Sequence, residues 1–148
     1  MILHLAGSFI AVITLSIIFC VPQKYLTCSS LVGALGWVLY LKIMQAGANE
    51  MFAMFTAAFL VSLLSQVFAR IFKAPVTIFL VPGILPLVPG VGMYRIVYYL
   101  LLEDSSMSGY YFLYTLQMAG MIAVAIFVTD TIFQIVKSVG EMRGREGE

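Results

Sequence analysis

The sequence predicts an all-α membrane protein of about five transmembrane helices, the fourth broken by a cluster of prolines and glycines. Three observations carry that expectation. Residues are 62% hydrophobic and only 10% charged, with a mean hydropathy of +1.05, against about 45–50% apolar and 25% charged in soluble domains. The interruptions PQKY, AGANE, RIFKAP and EDSSMSG divide the chain into runs near the roughly 20 apolar residues that a helix needs to cross a bilayer. One of those runs contains VPGILPLVPG, with three prolines and two glycines inside a very apolar stretch.

The runs fall at about 2–21, 26–45, 50–69, 76–101 and 111–136. The first lacks a basic leader region and has Phe19 before Cys20, where a lipoprotein signal needs a small residue, so it reads as a retained span. The expected organisation is a membrane bundle over 1–137 and a short cytoplasmic tail over 138–148, without an extramembrane domain. Lys24, Arg70, Lys73, Lys137, Arg143 and Arg145 fall on one side of a five-span layout and Lys42 on the other. Basic loops are retained in the cytoplasm, which predicts a cell-membrane protein with its N-terminus outside and C-terminus inside. Cys20 and Cys28 then face a reducing compartment, and a disulfide is not expected.

Several functions are excluded by composition. A net charge of +1 without a basic stripe offers nothing to nucleic acid. An enzyme is disfavoured because there is one histidine, His4, read as interfacial, and no Ser/His/Asp set, no cysteine beside a base and no phosphate loop. No cofactor or metal is expected, since two cysteines and one histidine make no ligand cluster. No charged selectivity ring suggests a channel. Many transporters contain an internal repeat. This chain shows none, so as a transporter it reads as one half.

Proline has no amide to bond four residues back. Pro82, Pro86 and Pro89 therefore disturb the ladder at the carbonyls of Ile78, Pro82 and Leu85, and Gly83 and Gly90 loosen it further. The expectation is a half-helix over about 76–81, a few unwound residues, and a second half from near Pro89. Unwound backbone at membrane depth has to be buried in protein or line a watery cavity. The amides of Gly90, Val91 and Gly92 would then be free donors for a carboxylate at the start of the second half. The competing reading is a proline-kinked packing helix.

Arg95 and Asp130 are the single charges inside spans four and five. Charge at depth costs at least about 2.5–3.5 kcal/mol, which makes both functional candidates. Arg95 lies towards the outer surface and Asp130 towards the inner one, so separate roles are expected. Arg95 either attracts a carboxylate or snorkels to lipid phosphates. Asp130 either carries a coupling proton or is a hydrogen-bonded packing carboxylate. It shares a small, polar stripe with Ala119, Ala123 and Gln134, expected to pack on the partner or on the Ala58, Ser62, Ser65, Ala69 face of span three, near Gln66. Tyr94, Tyr98, Tyr99, Tyr110, Tyr111 and Tyr114 read as an outer aromatic belt, Tyr94 alone being a substrate candidate.

The stretch RIFKAPVTIFLVPGILPLVPGVGMYR, residues 70–95, resembles the signature of the threonine/serine exporter family, in its short integral-membrane half. Pro75, Pro82-Gly83, Pro86, Pro89-Gly90 and Tyr94 carry the resemblance. It implies a proton-coupled secondary exporter of small carboxylate metabolites that works with a larger integral-membrane subunit, with a higher oligomer possible. The substrate would be threonine and serine; succinate, or a structural or regulatory subunit that binds no substrate, are the alternatives. The resemblance and the broken backbone together assign Pro82, Gly83, Pro86, Pro89, Gly90, Gly92, Tyr94 and Arg95 to the substrate path.

Overall fold

The computed structural model describes the backbone over residues 2–145 and side chains over residues 6–138. His4 and most of the expected tail, 138–148, therefore lie outside the described side chains. The helices are α1 (Ile2–Ile18), α2 (Gln23–Gln45), α3 (Glu50–Phe72), α4 (Thr77–Ile84), a 3-10 turn (Leu85–Leu87), α5 (Gly90–Leu101) and α6 (Ser105–Arg145). Among the described residues there is no strand.

Among the described residues, three helices are long and apolar enough to cross a membrane: α2, α3 and Ser105–Ser138 of α6. The α4 and α5 halves, bent by 51°, make a fourth crossing when taken as one span. At 17 residues, α1 falls short of the roughly 20 needed for a full crossing. The structure thus supports three to four spans by length and composition, where the sequence predicts about five.

Four helix ends close in the same way. Cys20, Gly47, Lys73 and Glu103 have positive φ, and the next amide reaches five residues back, as in Val21 to Ser16, Ala48 to Ile43, Ala74 to Ala69 and Asp104 to Tyr99. These are Schellman-type stops. Asn49 then starts α3 by accepting from the Met51 amide at 2.8 Å, and Asp104 starts α6 by accepting from Met107 at 3.0 Å. Because Asp104 caps there, the SSMSG part of the expected fourth loop is the first turn of α6 and not loop.

The centre of the bundle is α2, which packs on α1, α3 and α4, while α6 covers α3 and α5. Small residues allow this close approach. A Cβ on Gly36 would sit 2.3 Å from Val61 Cγ2, and one on Gly33 would sit 3.2 Å from Gly83 Cα. The α3 face expected from sequence is buried, with Ala58, Ser62, Ser65 and Ala69 all inside. On α6, however, Thr115, Met118, Ala125 and Thr129 form the buried seam, whereas Ala119 and Ala123 are exposed. Each residue advances about 100°, so Ala119 leaves the seam with α3 that Met118 occupies, and of the two surfaces expected for the Ala119–Ala123 face it is not α3 that covers it.

Candidate functional site

The broken span unwinds close to where the prolines require. α4 runs through buried Pro82 to Ile84, three residues further than expected, and then tightens into the 3-10 turn around Pro86. Val88 is extended, with ψ 129°, and its carbonyl accepts from the Gly90 amide at 2.7 Å across Pro89, a γ-turn. Of the three amides expected to be free, that of Gly90 is therefore occupied. Those of Val91 and Gly92 stand in the first turn of α5, where helix geometry supplies no acceptor. No side chain caps this terminus.

The break opens on a cavity of about 430 Å³. Pro86, Pro89, Gly90, Val91, Gly92 and Arg95 form one wall, Trp37 and Tyr40 of α2 another, and Glu50, Tyr111, Tyr114 and Met118 complete it. Glu50, the first residue of α3, lies between two phenols. Tyr40 donates to Oε1 at 3.0 Å, and Tyr114 donates to Oε2. Among the described residues Glu50 forms no ion pair. Its charge is thus held by neutral donors.

Arg95 contributes the positive charge. Its guanidinium donates to the Tyr111 hydroxyl at 3.2 Å and lies 5.0 Å from the centre of that ring. The Tyr111 ring is stacked on Tyr99 at 5.4 Å with an interplanar angle of 6°. Arg95 is exposed and lies at the cavity wall, where the stacked Tyr99–Tyr111 pair holds its side chain.

Other sequence candidates are divided by the fold. Pro82 and Gly83 are buried against α2 and α3 and do not line this cavity; a Cβ on Gly83 would meet Val32 at 3.1 Å and Val61 at 3.2 Å. They shape and pack the first half-helix. Tyr94 is 67% exposed, stacks on Tyr98 and does not line the cavity. It sits one residue from Arg95, about 100° around the helix. Tyr111 and Tyr114, assigned from sequence to the belt alone, do line it. Glu50 and Tyr40 were not singled out in the sequence. Glu50 reads there as a loop charge or a favourable first-turn acid, and only α2 and α6 supply its phenols.

Asp130 lies in a different cavity, bonded to Gln66 Nε2 as the expected α3–α6 contact requires. Ser62 Oγ and Thr115 Oγ1 are buried without a hydrogen-bond partner. The second of these makes Gly92 obligatory, because a Cβ there would sit 2.2 Å from Thr115 Oγ1. Gly92→Ala should therefore lower the melting midpoint of the detergent-purified protein, since overpacking typically costs about 1–3 kcal/mol. Adding Thr115→Ala should restore much of the loss, and an unchanged midpoint in Gly92→Ala would disprove the contact.

Apolar helices around a broken span that opens on a largely apolar cavity carrying one carboxylate and one guanidinium define a multi-pass membrane protein of the transporter type. The sequence matches the family Threonine/Serine exporter, ThrE, over residues 4–132. The chain belongs to the threonine/serine exporter family. No solved structure matches it.

Proposed function

We propose that this chain is the small subunit of a two-component, proton-coupled exporter of threonine and serine, and that the cavity at the broken span holds the amino acid. The observation that carries this reading is the presence of opposite charges in one cavity, Glu50 on α3 and Arg95 on α5, beside the unbonded amides of Val91 and Gly92. An amino acid is a zwitterion. Its carboxylate meets Arg95 and the positive end of α5, and its ammonium meets Glu50. A dicarboxylate would place a second negative charge against Glu50, which favours amino acids over succinate.

The partner is a larger integral-membrane subunit. The broad apolar surfaces of α5 and α6 support this, where Val91, Leu101, Leu116 and Phe127 are exposed to lipid or to that subunit. The ends of α2 and α3 that carry Lys24 and Arg70 face the cytoplasm, following the bias of basic residues. Asp130 is the candidate for the coupling proton, because it is the carboxylate inside the apolar Ser105–Ser138 stretch of α6, held by Gln66 of α3.

The test is export from cells lacking the gene, loaded either with a threonine-containing dipeptide or with a succinate precursor. Retention of threonine and serine is expected; this gene together with that of the large subunit should relieve it, and an uncoupler should restore it. Retention of succinate alone would reassign the substrate. Flux that persists after the gradient collapses would exclude proton coupling.

A further inference from the structure

Helices α3 and α6 run side by side in a constant register. Tyr114 meets Glu50 near one end and Asp130 meets Gln66 near the other, and each pair is 64 residues apart in sequence. The two contacts are 16 residues apart along either helix, about 24 Å at 1.5 Å per residue. Between them the seam is filled by apolar side chains, including Met54, Ala58, Met118 and Ala125.

At the Asp130 end the seam opens on a second cavity of about 270 Å³, lined by Gln66, Arg70, Thr77, Asp130, Phe133 and Lys137 among others. Its parts repeat those of the first. A carboxylate is held by a neutral donor, Asp130 by Gln66, as Glu50 is held by Tyr40 and Tyr114. An arginine is stacked on an aromatic ring of α6: Arg70 lies 4.1 Å from the centre of Phe133, as Arg95 lies 5.0 Å from that of Tyr111. A half-helix begins at each cavity, α4 at Thr77 and α5 at Gly90. Packing two helices requires none of this, and α3 and α6 already have an apolar seam.

We propose that the second cavity is another binding station for the same zwitterionic amino acid, with Arg70 taking its carboxylate and Asp130 its ammonium. The two stations then lie at opposite ends of the α3–α6 seam, the Arg70 end receiving the substrate and the Arg95 end releasing it, and the apolar seam between them has to part for the substrate to pass. The inference rests on the reading of the first cavity as a substrate site. It is consistent with a coupling role for Asp130, since one carboxylate oxygen cannot hold an ammonium group and a proton together.

The experiment uses inverted membrane vesicles containing the complex with its large subunit, so that the Arg70 end faces the medium. Initial uptake of labelled threonine is measured against concentration, with the amount of assembled complex determined in each preparation. Arg70→Gln and Asp130→Asn should each raise KM about 10-fold or more, the scale of a lost hydrogen bond to a charged group. A second measurement reads binding without transport: Gln134→Cys, with Cys20 and Cys28 replaced by serine, should be alkylated more slowly when threonine is present. Wild-type KM in both charge variants, together with no protection of Gln134→Cys, would overturn the second station and leave the first intact. Wild-type vesicles that accumulate neither threonine nor serine would instead overturn the reading of the first cavity, and this proposal with it.

Discussion

Glu50→Gln is expected to reduce threonine export about 10- to 100-fold while the complex still assembles. Among the described residues the carboxylate is the only acidic side chain lining the cavity at the broken span, and a hydrogen bond to a charged group contributes about 1.5–3 kcal/mol. Glutamine keeps the shape and one acceptor oxygen, and its NH₂ donates to whichever phenol turns to accept, so Tyr40 and Tyr114 remain bonded. What is lost is the charge facing the substrate ammonium. The measurement is initial export rate, normalised to purified complex. Equal rates in wild type and Glu50→Gln would remove Glu50 from recognition, and a gain of succinate export in the variant would show that this charge selects against dicarboxylates.

Gly90→Leu is expected to abolish export without lowering the yield of folded protein. A Cβ on Gly90 meets no atom within 4 Å, so the space beside it is open, and it is the cavity that Gly90 lines. A leucine side chain would occupy that space and screen the amides of Val91 and Gly92. Gly92, two residues on, behaves in the opposite way because Thr115 fills its space. Full export by Gly90→Leu would show that the substrate does not pass the break, the result expected of a purely structural subunit.

The broken span could be read from the chain because proline and glycine act locally. Pro86 and Pro89 remove amides wherever the helix lies, and the resulting turn needs no partner to specify it. Hydropathy likewise marked α2, α3, α6 and the broken span as membrane helices but not the number of crossings, and the small face of α3 emerged from its spacing alone. The family also follows from the sequence, through the same Pro-Gly stretch. Asp130 was expected to face either the partner or α3 near Gln66, and the hydrogen bond to Gln66, 64 positions away, is with α3.

The site itself was only half legible. Pro82 and Gly83 share a motif with Pro86 and Gly90, yet the former pair packs against α2 and α3 and the latter lines the cavity; the tightening into the 3-10 turn at Leu85–Leu87 turns Pro86 away, and the 51° bend beyond it turns Gly90. Tyr94 and Arg95 are neighbours in sequence, but helical phase sends one to the surface and the other to Tyr111. Glu50 carries no local signal at all, since an acid at the start of a helix is ordinary. The sequence by itself determined a multi-pass helical membrane protein, its broken span and its family. Only the tertiary structure decided which charges share a cavity, because that depends on how α2, α3, α5 and α6 are rotated against one another, and rotation is set by packing over the whole seam.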